Sequence, residues 1–589
     1  MSVPRFELPE CARVEVARLQ REVGVSGPLA QVLVRRGFGE PASARAFLAA
    51  EEHHEPAAFA GIEWARETIL NYVGSGKRIT VHGDYDVDGI CSTAVLVRTL
   101  RRLGGNVDWY LPDRSSDGYG LKEKTVRRLA ARGTRLLVTV DCAITAVEEV
   151  ALARELGVDV VVTDHHAPRA DGRLPDAPIV HPALCGYPCP GLCATAVAHK
   201  LAQALTTAAG TEAGGRELEE DLDLVALATI ADAVPLLGEN RTLVRRGLRA
   251  LASTRKPGLR ALMAVARVDP ARLNERSVGF ALAPRINAAG RLYRADAGLE
   301  LVLTEDRLRA AQIAEELDRA NGERRHVEMR IRFEAEAQVA AMGERSAYVL
   351  AADGWHPGVI GIVASRLVES HRRPVVMIAL EGAGGKGSGR SVEDFDLLDG
   401  LAACEQHLRG YGGHRAAAGL EIERGRVEEF AAELDAHAER VLGAEPDGPL
   451  ERVDAVVGGE ELGITLAEEL QALAPFGRGN PAVSLLLDDA TFRDARPMGE
   501  GKHVRFTVES RGARARAVAF GTGGRLPVED GEAAEATFSL EVNEWNGVSE
   551  PRLVLRQARP RQVASAAATP ARGADSVTDD GELVLFALS

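Results

Sequence analysis

Between residue 61 and about residue 250 the chain alternates short apolar runs with amphipathic helical patterns, and this rhythm limits its fold more than any other feature. The apolar runs are Arg78–His82, Val107–Leu111, Arg135–Val140, Val158–Thr163 and Ile179–His181, with helical segments such as Ser92–Leu103 and Ala146–Leu156 between them. A strand-to-strand spacing of roughly 25 residues leaves room for a crossover helix and predicts a parallel, doubly wound sheet. Polar residues close the strands: Asp84 to Asp88, Asp113-Arg114, Asp141, and Asp164-His165-His166. In such sheets the functional crevice lies beyond the carboxyl ends of the strands. Four strands ending in acids or imidazoles therefore aim their chemistry at one place.

The first of these ends is the densest. In Val81-His82-Gly83-Asp84-Tyr85-Asp86-Val87-Asp88-Gly89, three carboxylates and an imidazole fall within seven residues. Like charges held this close are unfavourable unless a cation compensates them. Further on, Asp221–Leu236 reads as a buried helix carrying Asp232 among Ala and Ile, where an acid is costly unless paired or metal-bound. The collected set is His82, Asp84, Asp86, Asp88, Asp141, Asp164, His165, His166 and Asp232. Mixed Asp and His ligation without thiolate suits Mn²⁺ or Mg²⁺, with Mn²⁺ favoured by the imidazoles. Two such ions, about 3.5–4 Å apart, would activate a hydroxide for in-line displacement at phosphorus. Any one of these acids alone would read as a helix cap or ion-pair partner; together they read as a metal centre.

Composition narrows the setting. At 589 residues the chain is too long for one ordinary domain, and 46% hydrophobic with 27% charged residues is normal for a globular protein. No apolar run approaches a membrane span, and the N-terminus has no signal-like core, so a cytoplasmic monomer is expected. The net charge of −15 argues against coating nucleic acid non-specifically but leaves a local binding groove open. Cys185, Cys189 and Cys193 lack the usual C-x2-C spacing and a fourth ligand, and read as loop and core thiols. His53-His54 reads as part of a solvated acidic turn.

Residues 1–60 suggest short helices and turns. Thr206–Glu220 looks like a loop, and Glu305–Met342 like one long helix joining two lobes, with Gly322 as a bend point. A second α/β unit follows, with strands at Ala347–Ala351 and Pro374–Ala379 and Gly-rich segments at 382–389 and 410–419. From 453 to 560, short strands at Ser484–Leu487, His503–Val508, Ala513–Phe520, Ala536–Val542 and Arg552–Arg556 suggest a small barrel of the OB type. The predicted organisation is a helical segment (1–60), a parallel-sheet domain (61–300), a connecting helix (301–343), a second α/β domain (344–446), an OB-fold barrel (450–562) and a flexible tail (563–589).

His82-x3-Asp86-x-Asp88, Asp141 closing Leu-Val-Thr-Val-Asp, and Thr163-Asp164-His165-His166 resemble the DHH phosphoesterase superfamily. Pro112-Asp113-Arg114, Gly118-Tyr119-Gly120, Ala283–Arg291, Gly387–Ser391, Tyr411–His414 and Ala474–Pro481 narrow the resemblance to the RecJ family of bacterial single-strand-specific 5′→3′ exonucleases. The resemblance, which runs from about residue 40 to 560, implies that the second α/β unit is a DHH-associated domain. It implies His82, Asp86, Asp88, Asp141, His165 and Asp232 as metal ligands, with Asp141 bridging. Asp84 and His166 would orient ligands or touch the scissile phosphate. The residues expected at the reaction centre are Asp141, Asp84, His166 and Arg285. After Asp141-Cys142 the family usually has Gly where this chain has Ala143, whose methyl would tighten the turn.

The resemblance also implies a pocket for 5′-end phosphates at Ser388, Arg390 and His414, where small residues let backbone N–H groups approach an anion and Arg donates twice. Arg114 and Tyr119 would hold phosphate and meet a base, or be a surface Arg and a half-buried Tyr. Asn287 and Arg291 would line the same cleft, although Asn287 could equally cap a turn. In the barrel, Lys502 and Arg505, with Phe506 interleaved and Trp545 in a later turn, suit a single-strand groove; a solvated charged face with core aromatics is the alternative. The resulting expectation is hydrolysis of single-stranded DNA from its 5′ end to mononucleotides, in recombination and repair, beside single-strand-binding protein and a helicase. The rivals are a small-nucleotide phosphodiesterase, a manganese pyrophosphatase and a non-catalytic DNA-binding scaffold.

Overall fold

A computed structural model describes residues 3–113, 118–210, 213–292, 296–443, 450–545 and 548–561. Three short helices, Arg13–Glu22, Gly27–Arg35 and Pro41–Ala49, open the chain, and the strand Arg5–Glu7 pairs in parallel with Leu450–Arg452.

The first lobe is built on β1 (Ile79–His82), α1 (Val87–Arg102), β2 (Val107–Tyr110), α2 (Glu123–Ala131), β3 (Leu136–Val140), α3 (Val147–Glu155), β4 (Asp159–Thr163) and β5 (Ile179–Val180). The sheet order is β2-β1-β3-β4-β5, and every pairing is parallel. The chain therefore leaves β1 in one direction and returns to its other side at β3. A crevice opens at such a switch point, beyond the carboxyl ends of the two strands. β1, β3 and most of β4 are buried runs of Val, Ile and Leu, as a sheet covered on both faces requires.

Three expectations for this region need correction. α1 starts at Val87 rather than Ser92, because Asp86 caps it. The segment 206–220 is largely helical: α4 (Ala194–Ala208) runs into it, and Ala213–Glu220 forms another helix whose Leu218 is buried and whose Leu218 carbonyl meets the His199 ring at 2.9 Å. Tertiary contact here outweighs a Gly-rich composition. The helix expected over Asp221–Leu236 is α5 (Leu222–Ala231), which stops at Asp232 because Ala233 turns left-handed (φ +54°). α6 (Gly238–Ala252) and α7 (Ala283–Leu292) complete the helical layer used below.

α8 (Arg307–Met342) is one helix of 36 residues, about 54 Å long at 1.5 Å per residue. It runs unbroken through Gly322 and is capped by Asp306, which accepts from the N–H groups of Leu308 and Arg309. The second lobe follows as β6 (Tyr348–Asp353), α9 (Ile360–His371), β7 (Val375–Glu381), β8 (Gly384–Arg390), β9 (Leu408–His414), β10 (Ala417–Glu423) and α10 (Val427–Leu442). Its sheet order is β9-β10-β8-β7-β6, parallel only at β6–β7. The Gly-rich segments are thus strands. A Cβ at Gly387 would meet the Leu420 side chain at 2.7 Å, so the glycines let the strands and their covering residues close up.

The C-terminal unit is a barrel of β11 (Leu485–Met498), β12 (His503–Ser510), β13 (Ala513–Ala519), β14 (Ala533–Trp545) and β15 (Val548–Pro560). The strands run β11-β12-β13-β15-β14, and β14 pairs back onto β11. Closure removes the exposed edges that five separate strands would leave.

Candidate metal centre

The loop after β1 is shaped by two helix N-termini. Asp86 caps α1, its Oδ1 accepting from the N–H groups of Asp88 (3.0 Å) and Gly89 (3.1 Å), while Asn287 Oδ1 accepts from the N–H of Val87 at 3.1 Å. Asp88 lies one residue into α1 and is buried against the start of α4. Its carboxylate accepts from Ala194 N–H and Thr195 N–H, both at 2.8 Å, and from the Thr195 hydroxyl at 2.6 Å. Helix N-termini favour anions, and these donors hold the carboxylate at a fixed place. Gly89 is required by close approach: a Cβ there would sit 2.5 Å from the backbone of Asp84.

The ends of β3 and β4 supply the facing side. Asp141 follows β3 with φ +60° and Ala143 follows with φ +82°. The left-handed region tolerates Asp but strains Ala, which gives a physical reason for a glycine at the second position. Asp164 is the hub of the next turn: Oδ2 accepts from Ile144 N–H at 2.9 Å, and Oδ1 accepts from His165 N–H at 2.7 Å and meets His166 Nδ1 at 2.8 Å. Asp164 thereby orients the His166 imidazole and fixes the backbone of His165, a role that the strand-end pattern alone did not assign to it.

His165 Nε2 is buried with no hydrogen-bond partner and lies 3.2 Å from Asp141 Oδ1, 3.7 Å from Asp88 Oδ2 and 3.8 Å from Asp232 Oδ2. Among the described residues three overlapping sets could each hold an ion: Asp88, His165 and Asp232; Asp141, His165 and His166; and Asp84, Asp86 and Asp141. Within each set the ligand atoms lie within 4.8 Å of one another. Asp141 is common to two of them, as a bridging carboxylate would be. Asp84 and His166, expected to support the ligands, stand among the atoms able to ligate. His82 is fully buried at the end of β1 with Nδ1 3.5 Å from Cys142 Sγ, and it belongs to none of the three sets.

The electrostatics describe a site that wants positive charge. Burial, then Asp88, Asp86, Asp84 and Asp164, push the Asp141 carboxyl well above its ordinary range. Burial and then Asp88 raise Asp86, and burial followed by Asp88 and Asp86 pushes Asp232 up to about 8. Asp232 also sits at the C-terminal end of α5, where the helix dipole disfavours a carboxylate. Burial lowers His165 and keeps it neutral, as a ligand must be. For His166 burial works the same way, but the hydrogen bond and charge of Asp164 outweigh it and raise the imidazole. Asp164 is held below its ordinary value because that bond and the backbone N–H groups overcome its burial. Oxygen-rich donors with imidazole, no thiolate ligand and an uncompensated cluster of acids fit a hard or borderline divalent cation.

The remaining expected residues divide. Tyr119 reaches the centre: its hydroxyl lies 3.1 Å from His166 Nδ1 and donates to the Asp141 carbonyl at 3.2 Å. Arg285 instead gives its Nε to Asp318 at 2.8 Å and Nη1 to the Ala281 carbonyl at 2.6 Å, so it ties α7 to α8. Ser388 and Arg390 are together on β8, with Arg390 Nη1 donating to Ser388 Oγ at 3.1 Å, and both pack on Gly361 at the start of α9. His414 pairs with Ala417, which pairs with Arg390, so it lies two strands away, about 10 Å at the usual strand spacing. Arg114, the Arg291 side chain, the Trp545 side chain and the tail 563–589 lie outside the described residues.

In the barrel, Lys502 and Arg505 are exposed, but Phe506 is core and packs on Phe492 at 4.7 Å. Phe506 alternates with outward-facing Arg505, so strand parity puts the ring inside. Among the described residues of the barrel the exposed aromatic is Phe520, 49% accessible, with His503 edge-on at 5.3 Å.

A parallel sheet with an Asp/His centre at its switch point defines the DHH phosphoesterases, and residues 78–229 match the DHH family, N-terminal domain. Residues 344–440 match the DHHA1 domain and 453–557 the RecJ OB domain. The chain is 37% identical over 567 residues to the single-stranded-DNA-specific exonuclease RecJ of Bacillus subtilis, covering 94% of this chain and 70% of that one. The structure of RecJ in complex with Mn²⁺ from Thermus thermophilus superimposes with a TM-score of 0.83 at 32% identity, covering 94% of this chain and 79% of that one. The Mg²⁺ complex from the same organism gives 0.76 at 30% identity, covering 94% and 78%. The chain belongs to the RecJ family.

Proposed function

We propose that this chain is a divalent-metal-dependent exonuclease that degrades single-stranded DNA from the 5′ end and releases 5′-mononucleotides. The observation that carries the reading is the convergence of Asp88, Asp141, His165 and Asp232 from separate elements onto one point, in a chain of the RecJ family. Two ions, Mn²⁺ or Mg²⁺, would be held by Asp86, Asp88, Asp141, His165 and Asp232, with Asp84 and His166 in reach and His82 at the buried end of β1. When bound, the ions supply Lewis acidity and an activated water for in-line attack at phosphorus. His166, held by Asp164 and with its side chain 36% exposed, would donate an N–H to a phosphate oxygen. Ser388, Arg390 and His414 would take the 5′-terminal phosphate, and Lys502, Arg505 and Phe520 would bind single strand on the barrel. Arg114, Tyr119, Asn287 and Arg291 would line the path, and Arg285 would position it through α8.

Among the described residues no helix is long and apolar enough to cross a membrane. A cytoplasmic monomer working in recombination and repair, beside single-strand-binding protein and a helicase, fits this chemistry. We assign 61–300, 344–446 and 450–562 as its three working domains, with 301–343 connecting the first two.

The test is incubation with end-labelled single-stranded and duplex DNA, with and without Mn²⁺. Mononucleotides should be released from the 5′ end of the single strand only, and only with metal. Cleavage restricted to dinucleotides, or indifferent to the 5′ end, would overturn the reading.

A further inference from the structure

Residues 472–480 are braced against the first lobe far more firmly than a surface loop needs. Arg241, buried in α6, donates to the carbonyls of Leu473 (2.7 Å) and Ala472 (3.0 Å). Buried Asn480 donates to the carbonyls of Leu473 and Pro475, both at 2.8 Å, and accepts from Arg36, which is itself paired with Asp454 at 2.8 Å. Gly477 and Asn480 close a tight turn through two backbone hydrogen bonds of 2.8 and 3.1 Å. The apex of that turn is Arg478-Gly479.

The turn is seated on the segment that follows Asp232. Leu236 N–H donates to the Arg478 carbonyl at 2.8 Å. A Cβ at Gly477 would lie 2.8 Å from the Leu236 side chain, and one at Gly479 would lie 3.3 Å from both Pro235 and Leu237. The backbone of Arg478 is therefore held against a residue four positions beyond a candidate metal ligand. Arg478 is exposed, and its guanidinium has no hydrogen-bond or ion-pair partner among the described residues. An unpaired guanidinium on a pinned turn, seated on the segment that follows Asp232, is suited to a phosphate, which it can grip with two parallel N–H groups.

We infer that Arg478 is a substrate-binding residue that holds a backbone phosphate of the DNA strand on the Asp232 side of the metal centre. The inference rests on the exonuclease reading for its substrate, and its recognition chemistry is a single phosphodiester, independent of base. The bracing by Arg241, Asn480 and Arg36 keeps the turn in place when the strand is absent, so little ordering entropy is lost on binding.

The experiment compares wild type, Arg478→Gln and Arg478→Lys in the full chain. Binding of a fluorescent oligothymidylate is measured across a KCl series with Ca²⁺ in place of Mn²⁺, and turnover is then measured with Mn²⁺. Arg478→Gln should weaken binding several-fold and make the slope of log K against log[KCl] shallower by about 0.7, the loss of one phosphate contact on a single strand. It should raise KM while leaving kcat at saturating DNA and the melting temperature near wild type. Arg478→Lys should restore the slope. Affinity and slope unchanged in Arg478→Gln would overturn the inference, as would a fall in kcat or in Mn²⁺ affinity with the slope intact. If wild type binds the oligonucleotide but does not shorten it, the exonuclease reading fails, and the binding series still decides the role of Arg478.

Discussion

Asp141 combines the two demands of the site in one residue. Its carboxylate is shared by two of the ion-holding sets, and its backbone sits at φ +60°, which turns the chain from β3 toward Ile144. Asn tolerates that backbone about as well as Asp, whereas most residues do not. Asp141→Asn should therefore keep the fold and single-strand binding but lower Mn²⁺-dependent turnover by roughly three orders of magnitude or more. A time course of mononucleotide release, beside a binding isotherm, checks both halves. Retained turnover would remove Asp141 from the centre.

At the scale of elements, burial separates residues that look alike in the sequence. Phe506 and Phe520 both sit among cations of the barrel, yet Phe506 is 4% exposed and Phe520 is 49%. Phe506→Ala should destabilise the chain by about 3–5 kcal/mol, as a core ring deletion does. Phe520→Ala should leave stability alone and weaken single-strand binding by about 1–3 kcal/mol, the usual worth of one stacked base. Denaturant titration and anisotropy read the two outcomes independently. The helical layer carries a second contrast. Lys200 of α4 and Glu239 of α6 form a fully buried pair at 2.6 Å, with the Tyr187 hydroxyl donating to the same carboxylate at 2.6 Å. Lys200→Met leaves that charge uncompensated and should cost about 3–5 kcal/mol. Adding Glu239→Gln should recover much of the loss, which urea midpoints of the single and double variants would measure.

For the molecule as a whole, the acidic centre ties stability to pH and to metal. Asp232 is pushed up to about 8, and Asp86 and Asp141 are raised as well, so the folded chain binds more protons than the unfolded chain above the ordinary carboxylate range. Stability then falls as pH rises, from near the ordinary carboxylate value through about 8. Metal-free protein should melt at progressively lower temperature across that window. Mn²⁺ should reverse the trend, because the ion replaces the protons and binds more tightly as they leave. Melting curves in chelator and in Mn²⁺, taken from about pH 5 to about pH 8.5, check the sign, and a chelated profile that rises with pH would contradict it.

Much of this was readable from the residues alone, and the reason is periodicity. Buried parallel strands must be continuous apolar runs, so β1 to β5 stand out in the sequence, and the polar residues that end them mark the crevice before any coordinates are known. The strand ends point to Asp86, Asp88, Asp141 and His165, an acid on an apolar helix points to Asp232, and the motif resemblance ties them to a phosphoesterase. What only the tertiary structure decided is which partners each side chain meets. Asp164 looked like one more ligand but is the hub that aims the His166 imidazole and fixes the turn carrying His165. Arg285 looked like a reaction-centre cation but is bound to Asp318. Phe506 looked like a stacking platform but lies inside the barrel. Arg478 carried no signal of its own beyond the Ala474–Pro481 motif, since it is separated from Asp232 by some 240 residues of chain and comes near it only because Arg241, Asn480 and Arg36 pin its turn there. Local spacing reports how a segment folds; contacts between distant segments depend on the packing of the whole lobe, and no local spacing encodes them.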